Sequence, residues 1–154
     1  MNSSDRHVSS LGPGESSPLG SAAGTTDSLV REGKETPVRR FLLVLIKPSH
    51  YDDDGYVIRW WRAMIPSNSL AALYGISVDC AERRVLGPRI AIDIEVIDET
   101  NTRVDVSALI ARFRSAENFG LVGLVGVQSN QYPRALDIAA PFRKAGIAVA
   151  LGGF

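Results

Sequence analysis

Four short runs of Val, Ile and Leu alternate along this chain with three segments of helical periodicity, and that alternation leaves few possible folds. The runs cover residues 40–46, 89–97, 121–127 and 147–151. Each has strand length and is rich in apolar, largely β-branched residues, and the first is continuous, as expected for a strand buried on both faces of a parallel sheet. Between the first two, Ser67-Asn68-Ser69 supplies helix-capping chemistry. Leu70, Leu73, Tyr74, Val78 and Ala81 then recur at helical spacing up to the stop signal Gly87-Pro88. Asp105 caps a second predicted helix whose apolar face is Val106, Leu109, Ile110 and Phe113. Pro133 opens a third at a favoured first position, running to Lys144, with Pro141 expected to kink or divide it. The order strand, helix, strand, helix, strand, helix, strand implies right-handed crossovers. The expected fold class is α/β: a Rossmann-like or flavodoxin-like parallel sheet with alternating helices. Such a sheet ordinarily has a fifth strand and a further helix. The domain is therefore expected to be incomplete at its C-terminus, with an open fourth strand and low stability.

The first 37 residues are Ser-, Gly-, Thr-, Ala- and Pro-rich, with isolated large apolar residues. They are expected to form a disordered tail, because they bury too little apolar surface to offset the entropy of ordering. The domain spans residues 38–154, enough chain for a real core. Acidic and basic residues are equal at 17 each, for a formal net charge of zero. That balance argues against a nucleic-acid partner held by phosphate neutralisation and against a polybasic membrane surface. No apolar run is long enough to span a bilayer and no apolar segment follows Met1, so a cytoplasmic chain is expected. A single cysteine, Cys80, excludes a disulfide within the chain and any multi-cysteine metal site. On its predicted helix it reads as a small core residue.

Ligands of open parallel sheets sit at the carboxyl ends of the strands. Four places follow from that rule. Lys47-Pro48-Ser49-His50 ends the first strand; a lone His there is more often structural than a ligand. The connection beyond it holds Asp52-Asp53-Asp54-Gly55, read as a turn in preference to a cation site, and Trp60-Trp61, of which at least one indole should pack inward. Asp98-Glu99-Thr100 ends the second strand, where Asp98 could accept a hydrogen bond from a ligand hydroxyl or sit in an exposed loop. Gln128-Ser129-Asn130-Gln131 ends the third, suited equally to a polar ligand and to a polar turn. Gly152-Gly153 ends the fourth and permits close backbone approach. Phosphate-cradling loops, a nucleophile elbow and a receiver-type phosphoacceptor are all missing their key residues.

These residues together resemble the N-terminal cobalamin (B12)-binding domain of B12-dependent radical SAM proteins. The stretches that carry the resemblance are Lys47-Pro48-Ser49-His50, Ile65-Pro66-Ser67-Asn68-Ser69-Leu70-Ala71-Ala72-Leu73-Tyr74, Val96-Ile97-Asp98-Glu99, Leu121-Val122-Gly123-Leu124-Val125-Gly126-Val127-Gln128-Ser129-Asn130 and Leu151-Gly152-Gly153. The resemblance implies a corrinoid on the carboxyl ends of the strands, contacted by Ser49, His50, Asp98, Gln128, Ser129, Asn130, Gly152 and Gly153. It implies a radical SAM barrel as partner, downstream or separate, holding a [4Fe–4S] cluster and S-adenosylmethionine. The barrel's three-cysteine motif is absent from this sequence, so catalysis by this chain alone is not expected. The family's D-x-H-x-x-G motif is also altered. Pro48 stands at the Asp position and Asp53 at the Gly position, so His50 is not expected to ligate cobalt. Two alternatives remain open at this stage: an α/β binding or interaction module without cobalamin, and a non-functional gene fragment.

Overall fold

A computed structural model describes residues 39–60 and 67–153. The expected tail over residues 1–37, the indole of Trp61 and the Ile65-Pro66 pair lie outside the described residues. The strands are β1 (Arg39–Lys47), β2 (Ile90–Asp98), β3 (Gly120–Val127) and β4 (Ala148–Gly153). The helices are α1 (Asn68–Glu82), α2 (Val106–Ser115) and α3 (Tyr132–Lys144). The strands form one all-parallel sheet in the order β2-β1-β3-β4. This is the expected α/β arrangement of flavodoxin-like strand order.

The most apolar run, β1, lies between β2 and β3. Leu42, Val44 and Ile46 point to one face of the sheet, and Leu45 to the other. The first set joins Val122 and Leu124 of β3, Leu109 and Phe113 of α2, and Ala135, Ile138 and Phe142 of α3 in the main core. Leu45 and Val125 form a small second cluster with Leu70 of α1, with Leu43 alongside. The two faces are thus unequally covered. Right-handed crossovers account for this: the step from β1 to β2 runs one way along the sheet, and the next two steps run the other way.

Local chemistry sets the element ends. Ser67 Oγ accepts the Leu70 N–H at 3.3 Å, and Asp105 Oδ1 accepts the Ala108 N–H at 2.9 Å. Asp105→Ala is expected to lose about 1 kcal/mol of stability, read as a shifted urea midpoint with unchanged slope. Gly120 is required by packing: a Cβ there would lie 2.1 Å from the Leu42 carbonyl oxygen and 2.7 Å from Phe113 Cε1. Gly126 has φ +60° and sits in an irregularity of the β3–β4 register between Leu124 and Val127. The extra residue reverses the strand's alternation, so that Val127 joins the main core on the same face as Leu124.

Three sequence expectations change. Pro141 does not divide α3, which runs unbroken to Lys144. It falls in the last turn, and only three helical residues follow it, so the missing donor disrupts little. Leu73 and Tyr74, expected on the buried face of α1, are 40% and 47% exposed. Of the expected set only Leu70 is fully buried, joined by Ser77, because α1 rests on the sheet along a narrow line with no helix beside it among the described residues. Cys80 is only half-buried and does not join the core. No helix among the described residues is long and apolar enough to cross a membrane.

Candidate functional site

The carboxyl ends of the strands divide into a half locked on the α3 side and an open half. The locked part is built on Glu99, which immediately follows β2 and is only 2% exposed; on the α1 side of β2 a pocket of about 570 Å³ remains, lined by Leu70, Tyr74, Ile94, Val96, Asp98 and Asn101. Its carboxylate accepts the Ser49 N–H at 3.1 Å, and Arg134 Nε at 3.1 Å to each oxygen. An Arg134 terminal nitrogen donates to Glu99 Oε1 at 2.5 Å. Arg134 also donates to the Tyr51 hydroxyl at 3.4 Å, and that hydroxyl donates to Asp137 at 2.5 Å. The hydrogen bond to Glu99 raises the Arg134 pKa further above its ordinary value, and burial partly opposes this. The Tyr51 phenol is also raised, chiefly by its bond to Asp137. Ser49 is 1% exposed, and its hydroxyl donates to the Ile58 carbonyl. The network therefore ties the connections after β1 and β2 to the start of α3. It leaves no buried side-chain polar atom unpaired among the described residues.

This placement corrects the expected role of Ser49. Its hydroxyl and N–H are both committed inside the protein, so it does not line an open cleft. Asp98 is likewise not gathered with the other expected residues. Its Oδ1 accepts the N–H and hydroxyl of Thr100 at 3.0 and 2.7 Å, and its side chain borders the β2 edge beside Ile94 and Val96. Asp52-Asp53-Asp54-Gly55 forms the expected turn: Gly55 has φ +83°, Asp52 Oδ1 accepts the Asp54 and Tyr56 N–H groups, and Tyr51 bridges Val57. Trp60 lies 64% exposed, its backbone N–H donating to the Thr100 carbonyl at 2.7 Å.

The open half lies at β3 and β4. Gln128 and Ser129 line a cleft of about 380 Å³ with Val127, Tyr132, Leu151 and Gly153. Asn130 is exposed beside them. Gln128, Ser129, Asn130, Gly152 and Gly153 are thus at the open half, where the sequence placed them. On the α1 side of the sheet, a groove of about 660 Å³ runs between α1 and β4. Leu43, Leu45, Ala72, Leu121, Val125 and Ala150 wall it, and Gly123, Gly126 and Gly152 leave it wide. The groove shares Leu151 and Gly153 with the cleft. Neither opening is lined by a charged side chain.

No family model, no curated protein and no solved structure matches this chain. The assignment of a ligand therefore rests on the site's own chemistry. His50 is half-buried, and its carbonyl accepts the Ile58 N–H at 2.9 Å. Among the described residues no side chain hydrogen-bonds its ring, and no three His, Cys, Asp or Glu residues cluster to hold a metal ion. The Glu99–Arg134 pair and Tyr51 were not singled out by sequence reasoning. The available signal was weak: an acid just past a strand and an arginine in the first turn of a helix, 35 residues apart.

Proposed function

We propose that the domain binds a corrinoid across the carboxyl ends of β3 and β4, with the flat base of its nucleotide arm in the groove beside α1. The observation that carries this reading is the pair of uncharged openings that meet at Leu151 and Gly153 of β4. A corrin rim bears neutral carboxamides, which pair with amide and hydroxyl side chains such as Gln128, Ser129 and Asn130. A planar aromatic base suits an apolar slot kept open by Gly123, Gly126 and Gly152. Each of the two openings falls within the usual size of small-molecule sites. The lack of charged lining disfavours a nucleotide held through its phosphates, which would call on cationic side chains.

The residues fit the organic part of the cofactor better than its metal. Among the described residues His50 has no orienting partner, and a coordinating His ordinarily has one. In this reading cobalt is not held by the protein. Bound corrinoid would supply a methyl group or a redox centre to a separate or downstream radical SAM barrel, as the resemblance implies. This domain's own residues bind and orient it.

The test is titration of the purified chain with cobalamin, followed by absorption and EPR spectroscopy. Stoichiometric uptake is expected, with a cob(II)alamin spectrum lacking any protein-derived nitrogen splitting and unchanged in His50→Ala. A Cβ at Gly152 would meet nothing within 4 Å, so Gly152→Phe should fold normally and fill the groove. It is expected to weaken binding at least tenfold, or about 1.4 kcal/mol. No uptake by the folded wild-type chain would remove the corrinoid and leave a module with another ligand. Loss of nitrogen splitting in His50→Ala would restore His50 as the ligand.

A further inference from the structure

Corrinoid binding at β3 and β4 leaves the chemistry around Asp98 unused. One carboxylate oxygen of Asp98, Oδ1, is committed to the N–H and hydroxyl of Thr100. Among the described residues no donor reaches the other, Oδ2. The turn that follows brings Asn101 close, because the Asp98 carbonyl accepts the N–H groups of Asn101 and Thr102 at 3.2 and 3.0 Å. Asn101 Oδ1 accepts the Thr102 hydroxyl at 2.9 Å, which leaves the Asn101 amide nitrogen as a donor. A hydrogen-bonded turn thus sets an unused acceptor beside an unused donor, and both residues line the pocket of about 570 Å³ on the α1 side of β2.

Most of the remaining lining is apolar. Leu70, Ala71 and Tyr74 wall the pocket from α1, and Ile94 and Val96 wall it from β2. Strand alternation puts Ile94, Val96 and Asp98 on this face and turns Glu95 to Arg112 on the other. Tyr74 and Val96 are 47% and 38% exposed, so a flat ring laid against them would leave water and stack on the phenol. Asp98 is the one charged residue of the lining, and no cation accompanies it among the described residues. Helix α1 separates this pocket from the groove beside β4, which it lines with Ser69, Ala72 and Leu73 instead.

We infer that this pocket binds a neutral ribonucleoside. The base lies against Tyr74 and Val96, and the vicinal hydroxyls of the sugar sit between Asp98 and Asn101. A hydroxyl both donates and accepts. One ribose hydroxyl therefore donates to Asp98 Oδ2, and its neighbour accepts from the Asn101 amide. An acid at the carboxyl end of a strand is well placed for such a hydroxyl in an open parallel sheet. An ammonium ligand would use the acceptor alone and leave the amide idle. A nucleotide would bring phosphate to a pocket that holds a carboxylate and no cation. The volume lies within the usual range for small-molecule sites.

The test is calorimetric titration of the full chain with adenosine. No cobalamin is added, so the outcome is separate from that of the corrinoid titration. Binding is expected, with 2′,3′-dideoxyadenosine weaker by about tenfold or more, because groups placed for hydroxyls are then left unpaired. Asp98→Asn keeps an oxygen for Thr100 and turns the unused acceptor into a donor. It should melt as the wild type does, weaken adenosine by about tenfold and leave dideoxyadenosine unchanged. Tyr74→Ala, at an exposed position, should weaken both nucleosides alike. Adenosine 5′-monophosphate should bind no more tightly than adenosine. No uptake of adenosine by the folded wild-type chain at about 1 mM overturns the inference. So does binding that is indifferent to both variants, or a preference for the monophosphate.

Discussion

Replacement of Arg134 by Met is expected to reduce the stability of the domain by about 3–5 kcal/mol, because it strands a buried carboxylate. Glu99 is almost fully enclosed, and its acceptor sites are filled by Arg134 and the Ser49 N–H. With the guanidinium gone, the carboxylate keeps one donor and loses its counter-charge. The melting temperature should fall by more than about 10 °C for a domain of this size. The double variant Glu99→Leu with Arg134→Met should recover most of the loss, since apolar replacements of buried ion pairs are often neutral. Urea denaturation of the wild type, the single variant and the double variant checks both statements. A loss below about 1 kcal/mol in Arg134→Met would mean that water screens the pair as it does at a surface.

The network also pins the connection after β1 through Ser49 and Tyr51 to the start of α3. Arg134→Met should therefore loosen residues 48–60 in hydrogen exchange before the sheet itself opens.

Phe142→Ala is expected to match that loss, at about 3–5 kcal/mol. Phe142 is fully buried and meets Phe113 edge-to-face at 6.2 Å, which joins α3 to α2 over the sheet. Truncation removes the ring's transfer energy, leaves a cavity beneath both helices and loses an aromatic pair worth about 1 kcal/mol. Leu136→Ala on the exposed side of the same helix should change stability by no more than about 0.5 kcal/mol. Comparing the two separates core packing from surface chemistry. Equal losses would show that α3 is not seated on the sheet through Phe142.

The carboxyl-end site was legible in part. The strand-end rule alone located Gln128, Ser129, Asn130 and the two glycines, because chain direction in a parallel sheet fixes which end every strand offers. It could not separate Ser49, which is buried, from Ser129, which is open. That difference depends on Glu99, 50 residues further along, and on Arg134, 35 residues beyond Glu99. The apolar face of α1 was misjudged for a related reason. Periodicity reports which residues are apolar, and α1 is apolar nearly all round, so only its neighbours decide which of them are buried.

Composition and periodicity by themselves determined the number and type of elements, their order, their parallel direction and most of their caps. These depend on interactions within a few residues, and burial demands a repeat that any reader of the chain can count. Tertiary structure alone decided that β1 lies between β2 and β3, and that Gly126 turns Val127 into the core. It also decided that the connections after β1 and β2 are tied to α3 by a buried ion pair. Each of these is a pairing between distant segments. Its free energy depends on which surfaces meet, and no local sequence window contains both partners.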